Sequence, residues 1–145
     1  MTIKKIIESD MMDATTLAKR LWPEEDFEEL LRDFHHFLSS EMDAVFLARR
    51  KKEAVAFAHF ALRYDYVEGT STSPVGYLEG IYVDEDQRMK GIARALLQKG
   101  EEWARKKGCF EFGSDCVLDS RSCRMFHHSV GFSEANRLIC FTKQL

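Results

Sequence analysis

One strand–turn–helix segment near the middle of the chain constrains the fold more than any other feature. Val75 to Val83 is strongly apolar and predicts a strand, which the acidic turn Asp84 to Asp86 ends. A helix is predicted from Gly91 to Lys107, because apolar residues recur there at helical spacing. Gly108 predicts the end of that helix, since glycine is common just after a helix C-terminus. A strand that leads directly into an amphipathic helix requires a sheet with a helix packed on its face.

The residues on both sides of this segment predict further strands and helices. Ser9 is a candidate cap for a first helix, and Trp22-Pro23 should break that helix, because proline disfavours helix at the residue before it. The other predicted elements are helices at residues 25–38 and 120–129 and strands at residues 3–7, 44–49, 54–66, 109–115 and 138–142. Antiparallel hairpins followed by strand–helix–strand units predict an α/β protein with one mixed, mostly antiparallel sheet flanked by helices. A chain of 145 residues is expected to form one domain, residues 1–145.

Composition narrows the class of protein. Hydrophobic residues make up 45% of the chain, which is enough for a core, and the net charge of −3 lacks the basic excess typical of nucleic-acid-binding proteins. No apolar run is long enough to span a membrane, and residues 1–7 lack the apolar centre of a signal peptide. We therefore expect a cytoplasmic protein with no nucleic-acid and no membrane partner.

The cysteines and histidines predict no metal site. The chain has four cysteines, Cys109, Cys116, Cys123 and Cys140. They include no close Cys-x-x-Cys pair, and no histidine pair adds the usual spacing of metal ligands. In a reducing compartment they are expected to be buried or inert thiols. None has an evident base partner, which disfavours a covalent cysteine mechanism.

The start of the helix at Gly91 has the chemistry of an anion-binding site. The first turn of a helix leaves backbone N–H groups unpaired, and the helix dipole adds partial positive charge there. Gly91 and Ala93 lack bulk, which leaves the backbone accessible to an anion, and Arg88, Lys90 and Arg94 add positive charge. The segment therefore predicts a site for a pyrophosphate. The alternative is a plain helix start whose small residues serve only close packing.

The spacing Arg88-x-x-Gly91-x-Ala93 resembles motif A of the GNAT N-acetyltransferase superfamily, whose signature is Arg/Gln-x-x-Gly-x-Gly/Ala. Phe126 to Phe132 resembles the superfamily's segment between the last helix and the final strand, and the order of the predicted elements is similar to the GNAT fold along the whole chain. The resemblance implies a GNAT acetyltransferase fold that uses acetyl-CoA and no metal, with the backbone of Ile81 to Val83 pairing with the pantetheine arm. The residues that it places at acetyl-CoA are Ile81, Tyr82, Val83, Arg88, Met89, Lys90, Gly91, Ile92, Ala93, Arg94 and Ser120.

A more specific resemblance extends over nearly the whole chain and indicates the acceptor. The sequence is similar to the aminoglycoside 6′-N-acetyltransferases at Leu21–Pro23, Arg63–Val67, Ser73–Val75, Leu78–Ile81 and Ser114–Asp115. A polyamine sugar needs carboxylates to pair its ammonium groups and aromatic faces to cover its rings. The acceptor-site residues that this resemblance implies are Trp22, Tyr66, Glu79, Asp115 and Asn136. Two of the implied residues depart from the pattern: Asn136 stands where these enzymes tend to have an acid, and Ser120 where they often have an asparagine at the cofactor.

The predicted reaction is direct attack of a neutral amine on the thioester within a ternary complex. An ammonium group is not a nucleophile, so the reaction needs a base or a water path to a carboxylate. Glu79, acting through water, and Asp115 are the candidate bases, and Glu79 lies within an apolar strand, where an unpaired charge is costly. His127 stands where GNAT enzymes often have a tyrosine acid, and a histidine also donates a proton at neutral pH.

Four of these residues also have an ordinary structural interpretation. Their alternative roles are a core anchor for Trp22, a strand-end aromatic for Tyr66, a turn cap for Asp115 and a solvated helix residue for His127.

Other functions and assemblies remain open at this point. The acceptor could instead be a polyamine, a small amine metabolite or a protein amine. A non-catalytic acyl-CoA-binding module would keep Arg88 to Ala93 but would need no acceptor-side acids. The apolar residues Leu138 to Leu145 predict a closing strand at a sheet edge, and exposed edges tend to pair. Together with the family resemblance, this edge leads us to expect a homodimer.

Overall fold

The structure is a computed structural model that describes residues 1–145. Its five strands are β1 (Thr2–Lys5), β2 (Asp43–Arg50), β3 (Glu53–Arg63), β4 (Val75–Val83) and β5 (Phe112–Ser114). Its four α-helices are α1 (Met11–Leu21), α2 (Phe27–Ser39), α3 (Ile92–Lys106) and α4 (Arg121–Ser129). Short 3-10 turns at Glu8–Asp10 and Glu85–Gln87 precede α1 and α3. None of the helices combines the length and the apolarity that crossing a bilayer requires.

The strands form one mixed sheet in the order β1-β2-β3-β4-β5. The first four strands pair as antiparallel neighbours, whereas β5 lies parallel to β4. A parallel pair needs a crossover connection, and α3 lies on that connection. The prediction of a mostly antiparallel mixed sheet flanked by helices is therefore confirmed.

Helices cover both faces of the sheet, and each face has its own core. On one face, α1 and α2 pack through residues such as Leu17 and Phe34 against Phe57 of β3. On the other face, α3 packs through residues such as Leu96 against Phe60 of the same strand. Because β3 is covered on both faces, its sequence is almost continuously apolar.

A side-chain cap marks the start of α2 but not that of α1. The carboxylate of Asp26 accepts a hydrogen bond of 3.1 Å from the N–H of Glu29, which fixes the start of α2. The prediction that Ser9 caps the first helix is wrong. A 3-10 turn precedes α1, and the carboxylate of Asp10 accepts a hydrogen bond of 2.9 Å from the N–H of Ile7. The helix ends directly before the predicted break at the first proline.

The closing strand predicted at residues 138–142 is wrong. Residues 130–145 contain no strand, and the side chains of Leu138, Ile139 and Phe141 are 62%, 80% and 88% exposed. An apolar sequence supplies strand propensity, but a strand also needs a partner edge, and no strand of the same chain pairs with this tail. The strands β3 and β5 are likewise shorter than predicted, because their pairing with β4 covers only residues up to Arg63 and residues from Phe112 to Ser114.

The packing of α3 against β3 predicts the effect of Gly100→Ala. A Cβ at Gly100 would lie 2.3 Å from the ring of Phe60, which is fully buried. Alanine improves helix propensity by about 1 kcal/mol, but overfilling a packed core costs about 1–3 kcal/mol. We expect the substitution to lower the free energy of unfolding, measured by urea denaturation. Gln98→Ala, at an exposed position of the same helix, should change it by less than about 0.5 kcal/mol. A more stable Gly100→Ala variant would contradict the packing of α3 on Phe60.

Candidate active site

A β-bulge in β4 places Glu79 outside the regular strand pairing. Leu78 and Gly80 pair with consecutive residues of β3, so Glu79 is the extra residue between them. The bulge also reverses which face each side chain takes. Leu78 packs in the core beneath α3, whereas a Cβ on Gly80 would lie 2.6 Å from the ring of Trp22. From Glu79 onward β4 is only half-buried, so the bulge marks the point where the strand leaves the core.

An opening between β4 and β5 lies beside this bulge. The two strands pair only over Gly76–Leu78 and Phe112–Ser114, although β4 continues to Val83. Along this edge, the backbone N–H and C=O groups that follow Leu78 have no neighbouring strand. An extended ligand can add to such an edge as a strand would. Ile81 to Val83, the predicted partners of the pantetheine arm, lie in this strand opening.

The first turn of α3 has the geometry of an anion site. Gly91 is the N-cap with a φ of 80°, and no side chain caps the helix. The N–H of Ala95 donates to the carbonyl of Gly91 at 3.0 Å, whereas the N–H groups of residues 92–94 have no backbone acceptor. A Cβ on Gly91 would meet nothing within 4 Å. Unpaired N–H groups behind open space fit a pyrophosphate.

The basic side chains around this turn have partners within the chain. Arg88 donates through Nε to the last carbonyl of β4 at 2.9 Å, and Lys90 donates to the carbonyl of Asp86 at 2.7 Å. Both side chains are exposed and retain further N–H donors. Arg94 donates to the carbonyl of Ser129 at 2.5 Å and so ties α4 to α3. Arg88 and Lys90 are therefore better placed than Arg94 to meet a phosphate.

Glu79 is paired with a residue that the sequence analysis did not identify. Arg63 donates to both carboxylate oxygens, from Nε to Oε1 at 3.0 Å and from Nη2 to Oε2 at 2.9 Å. The guanidinium carbon of Arg63 lies 3.4 Å from the centroid of the Tyr77 ring, and the Tyr77 hydroxyl donates to the carboxylate of Asp115. We call these four residues the carboxylate network. It joins β3, β4 and the first residue after β5, with two carboxylates for one guanidinium.

The protonation of Tyr77 defines the hydrogen bonding at one end of the carboxylate network. Burial, together with the hydrogen bond to Asp115, raises the pKa of Tyr77 far above its usual range. The phenol therefore stays protonated near neutral pH, and Asp115 accepts its hydrogen bond.

The apolar strand around Glu79 indicates a functional carboxylate only if its charge has no partner within the chain. Arg63 compensates that charge, so burial alone does not require a ligand. The position of Glu79, at a bulge beside the strand opening, is the stronger indication of function.

The other predicted acceptor residues differ in their contacts with this part of the sheet. The ring of Trp22 lies over Gly80, next to Glu79, and contacts Phe57 edge-on at 6.1 Å, so it also anchors the core. Asn136 donates to the carboxylate of Glu68 at 2.9 Å. An acid therefore lies next to position 136, where the resemblance leads us to expect one. Tyr66 is 76% exposed in the β3–β4 loop, and no hydrogen bond or ring contact joins it to the other four.

His127 is held in one orientation by two hydrogen bonds. Its Nδ1 lies 2.7 Å from the carbonyl of Cys123, which only accepts, so Nδ1 carries a proton. In the neutral ring, Nε2 then accepts from the hydroxyl of Ser114 at 2.7 Å. Ser114 is the last residue of β5, and its partner in β4 is Leu78. His127 is therefore half-buried and faces the strand opening, which disagrees with its interpretation as a solvated helix residue.

Ser120 and Cys123 have clear structural roles at α4. Ser120 is the N-cap, and its hydroxyl oxygen accepts from the N–H of Cys123 at 3.3 Å. The hydroxyl hydrogen stays available for a second partner. Burial raises the pKa of the Cys123 thiol to about 11, so this cysteine is not a thiolate nucleophile at neutral pH.

Sequence reasoning missed Arg63, Tyr77, Ser114 and Glu68. A charged residue facing another across a hairpin is a pairing signal. That signal is missing here, because the direct cross-strand neighbour of Arg63 is Val75, and the Arg63 side chain reaches Glu79 across the Tyr77 ring. Glu68 and Ser114 have only ordinary loop and strand-end signals in the sequence.

The region of the chain that contains this site matches a known protein family. The model of the acetyltransferase (GNAT) family matches residues 8–132, which include the bulge, the strand opening and the first turn of α3. The chain belongs to the acetyltransferase (GNAT) family. Members of this family use acetyl-CoA, and the GNAT prediction is confirmed.

Individual GNAT relatives are similar over the full length of the chain. The aminoglycoside N(6′)-acetyltransferase type 1 of Acinetobacter genomosp. 13 is 42% identical, over 100% of this chain and 99% of the relative. The crystal structure of the 6′-N-acetyltransferase AAC(6′)-IG from Acinetobacter haemolyticus has a TM-score of 0.96 at 36% identity, covering 100% and 99% of the two chains. AAC(6′)-Iy in complex with the bisubstrate analogue CoA-S-monomethyl-acetylneamine has a TM-score of 0.96 at 32% identity, covering 99% and 98%. The predicted resemblance to the aminoglycoside 6′-N-acetyltransferases is confirmed.

Proposed function

We propose that this protein transfers the acetyl group of acetyl-CoA to the 6′-amino group of an aminoglycoside. The observation that carries the proposal is the carboxylate network beside the strand opening. An aminoglycoside has several ammonium groups, and a network with one excess negative charge attracts them. Relatives named as aminoglycoside N(6′)-acetyltransferases align with the whole chain, which supports the choice of acceptor.

Glu79 and Asp115 have different tasks in this proposal. Arg63 binds both oxygens of Glu79, but each oxygen keeps a lone pair, so a water held there can take the proton of the attacking amine. Asp115 is exposed and fixed by Tyr77, which suits it to pair a second ammonium group. Trp22 and Tyr66 cover the sugar rings, and Asn136 orients Glu68 at the rim.

Backbone groups and basic side chains hold acetyl-CoA. The free edge of Ile81–Val83 pairs with its pantetheine arm, and the N–H groups of residues 91–94 receive its pyrophosphate. Arg88 and Lys90 supply charge there. Met89, fully exposed with a φ of 60°, and the cap residue Ser120 belong to the same proposed acetyl-CoA site.

His127 supplies the proton for the departing thiolate. When the ring is protonated, Nε2–H donates to the Ser114 oxygen, and the Ser114 hydroxyl hydrogen is free to pass to the sulfur. The proton on Nε2 then moves to the Ser114 oxygen, which leaves the ring neutral and the hydroxyl restored. The Nδ1–H bond to the Cys123 carbonyl keeps the ring in place throughout.

The test is acetyl-CoA-dependent thiol release with matched acceptors. Neomycin and paromomycin differ in having an amine or a hydroxyl at the 6′ position, so turnover of neomycin and not of paromomycin is the expected result. Spermidine and a lysine peptide complete the panel. Turnover confined to spermidine or the peptide would overturn the aminoglycoside assignment and keep the acetyltransferase. Binding of acetyl-CoA without turnover of any acceptor would favour an acyl-CoA-binding module.

We also propose a homodimer in which the C-terminal tail of each copy adds to the sheet edge of the other. The tail is apolar and exposed, and β5 is a sheet-edge strand of three residues. Open edges and exposed apolar strands tend to pair.

Removing the tail should convert this dimer to a monomer. We expect a chain that ends at Arg137 to have half the mass of the full chain in analytical ultracentrifugation. A chain that lacks only residues 143–145 keeps Leu138, Ile139 and Phe141 and should remain a dimer. A full-length chain that is a monomer at micromolar concentration would contradict the proposal.

We propose further that residues 1–145 act as a single domain and work in the cytoplasm. The substrate acetyl-CoA is present there, and the four free thiols suit a reducing compartment. Fluorescence imaging of a tagged copy against a cytoplasmic marker tests the location.

A further inference from the structure

Two cysteines form a cluster with His127 of the candidate site, and the proposed reaction uses neither cysteine. Cys116 lies in the loop after β5, and Cys123 and His127 lie one turn apart on the same face of α4. Each offers a ligand atom, and these atoms all lie within 4.8 Å of one another. All three residues are half-buried, so the cluster is shielded and still accessible. The fold thus brings together three potential metal ligands whose spacing in the sequence predicts no metal site.

The separations fit a tetrahedral ion with soft ligands. Bonds of about 2.3 Å to sulfur and about 2.0–2.1 Å to nitrogen place tetrahedral ligand atoms about 3.6–3.8 Å apart. The Cys123 sulfur and His127 Nδ1 are already 3.7 Å apart. The remaining pairs, which involve the Cys116 sulfur, need to close by at most about 1.2 Å. Thiolate and imidazole ligands select Zn²⁺ and its congeners over Mg²⁺ or Ca²⁺.

A neighbour of His127 suits it to this role. Binding through Nδ1 moves the ring proton to Nε2, which lies 2.7 Å from the Ser114 oxygen before the ion binds. Metal-binding histidines usually donate their second N–H to such a partner, which fixes the ring. Nδ1 points at the Cys123 carbonyl 2.7 Å away, so the ring has to turn to make room for the ion, and this hydrogen bond is lost.

We propose that a thiophilic divalent cation of the Zn²⁺ and Cd²⁺ class binds Cys116, Cys123 and His127 and thereby inhibits acetyl transfer. Two thiol protons are released, and the two thiolates neutralise the ion. Three protein ligands leave a fourth position for water. In the bound form Nδ1 carries the metal, so His127 can no longer hold the extra proton for the leaving thiolate. The inhibition rests on the proposed role of His127, whereas the binding does not.

Binding is measured first, by titrating the freshly reduced full-length enzyme with Cd²⁺ and recording the ultraviolet cadmium–thiolate band. We expect one ion per chain. Cys116→Ser should weaken binding at least about tenfold, whereas Cys140→Ser, at an exposed cysteine of the tail, should leave it unchanged. A missing thiolate band, or one that persists unchanged in Cys116→Ser, would overturn the site.

Inhibition is measured second, with Zn²⁺ and with the thioester absorbance as the signal, because released CoA thiol would also bind the ion. Each variant is compared with its own metal-free rate. We expect Zn²⁺ to inhibit the wild type and Cys140→Ser at concentrations that leave Cys116→Ser active, and a chelator to restore the rate. Binding without inhibition would overturn the effect on His127 and leave the ion site standing. Because binding is read without an acceptor, failure of the aminoglycoside assignment would not be mistaken for failure of this proposal.

Discussion

Replacing Glu79 with glutamine should lower kcat/KM for the aminoglycoside by about 10²–10⁴, the usual range for loss of a general base. The amide keeps the shape of the side chain but cannot take the amine proton through water. The substitution also leaves the Arg63 guanidinium without its counter-charge, in a site that has to receive ammonium groups. Both effects act on the acceptor, so the KM for acetyl-CoA should change little.

Three variants separate these two effects of Glu79→Gln. The double variant Arg63→Gln with Glu79→Gln removes the unpaired cation, so it should recover part of the KM for the aminoglycoside and none of kcat. Glu53→Gln, at the exposed start of β3, serves as the control for loss of a carboxylate on the same sheet. Initial rates across acceptor concentrations provide both constants. A normal kcat with a raised KM in Glu79→Gln would show that Glu79 binds an ammonium group and is not the base.

The sequence predicted the centre of the fold to the residue and failed at its margins. The bounds of β4, Val75–Val83, are those predicted, because a continuous apolar run lies between a polar loop and an acidic turn. The α4 helix was predicted at residues 120–129, and it differs only in that Ser120 is its cap and not its first residue. The tail at residues 138–142 was not, since whether an apolar segment forms a strand depends on an edge that local sequence does not specify.

The candidate site likewise has one part that local sequence predicts and another that depends on the fold. The candidate anion site at Gly91 depends on one helix start, and a single stretch of sequence predicts where that helix begins. The carboxylate network depends on the register of three strands and on a bulge, and a shift of one residue changes which side chains meet. Arg63 therefore belongs to a segment that resembles a known family, but its pairing with Glu79 follows only from the fold. Likewise, Cys116 lies near Cys123 and His127 only through the folded position of the loop between β5 and α4.

Replacing Gly91 with alanine should weaken acetyl-CoA binding through a change confined to the backbone. Gly91 has a φ of 80°, where an L-residue costs about 1–2 kcal/mol, and its Cβ would occupy the open space in front of the first-turn N–H groups. Loss of one charge-assisted hydrogen bond is worth about 1.5–3 kcal/mol, so we expect the KM for acetyl-CoA to rise about 10- to 150-fold.

The chain supplies a matched control for Gly91→Ala. Gly108, at the other end of α3, has a φ of 90°, and a Cβ there would also meet nothing within 4 Å. Gly108→Ala should therefore cost the same conformational energy, about 1–2 kcal/mol in urea denaturation, without reaching acetyl-CoA. Calorimetric titration with CoA then compares two variants of equal stability. Weak binding in Gly91→Ala alone assigns the effect to the N–H groups at the start of α3. Equal weakening in both variants would mean that strain in the helix, and not access to its first turn, controls the binding of acetyl-CoA.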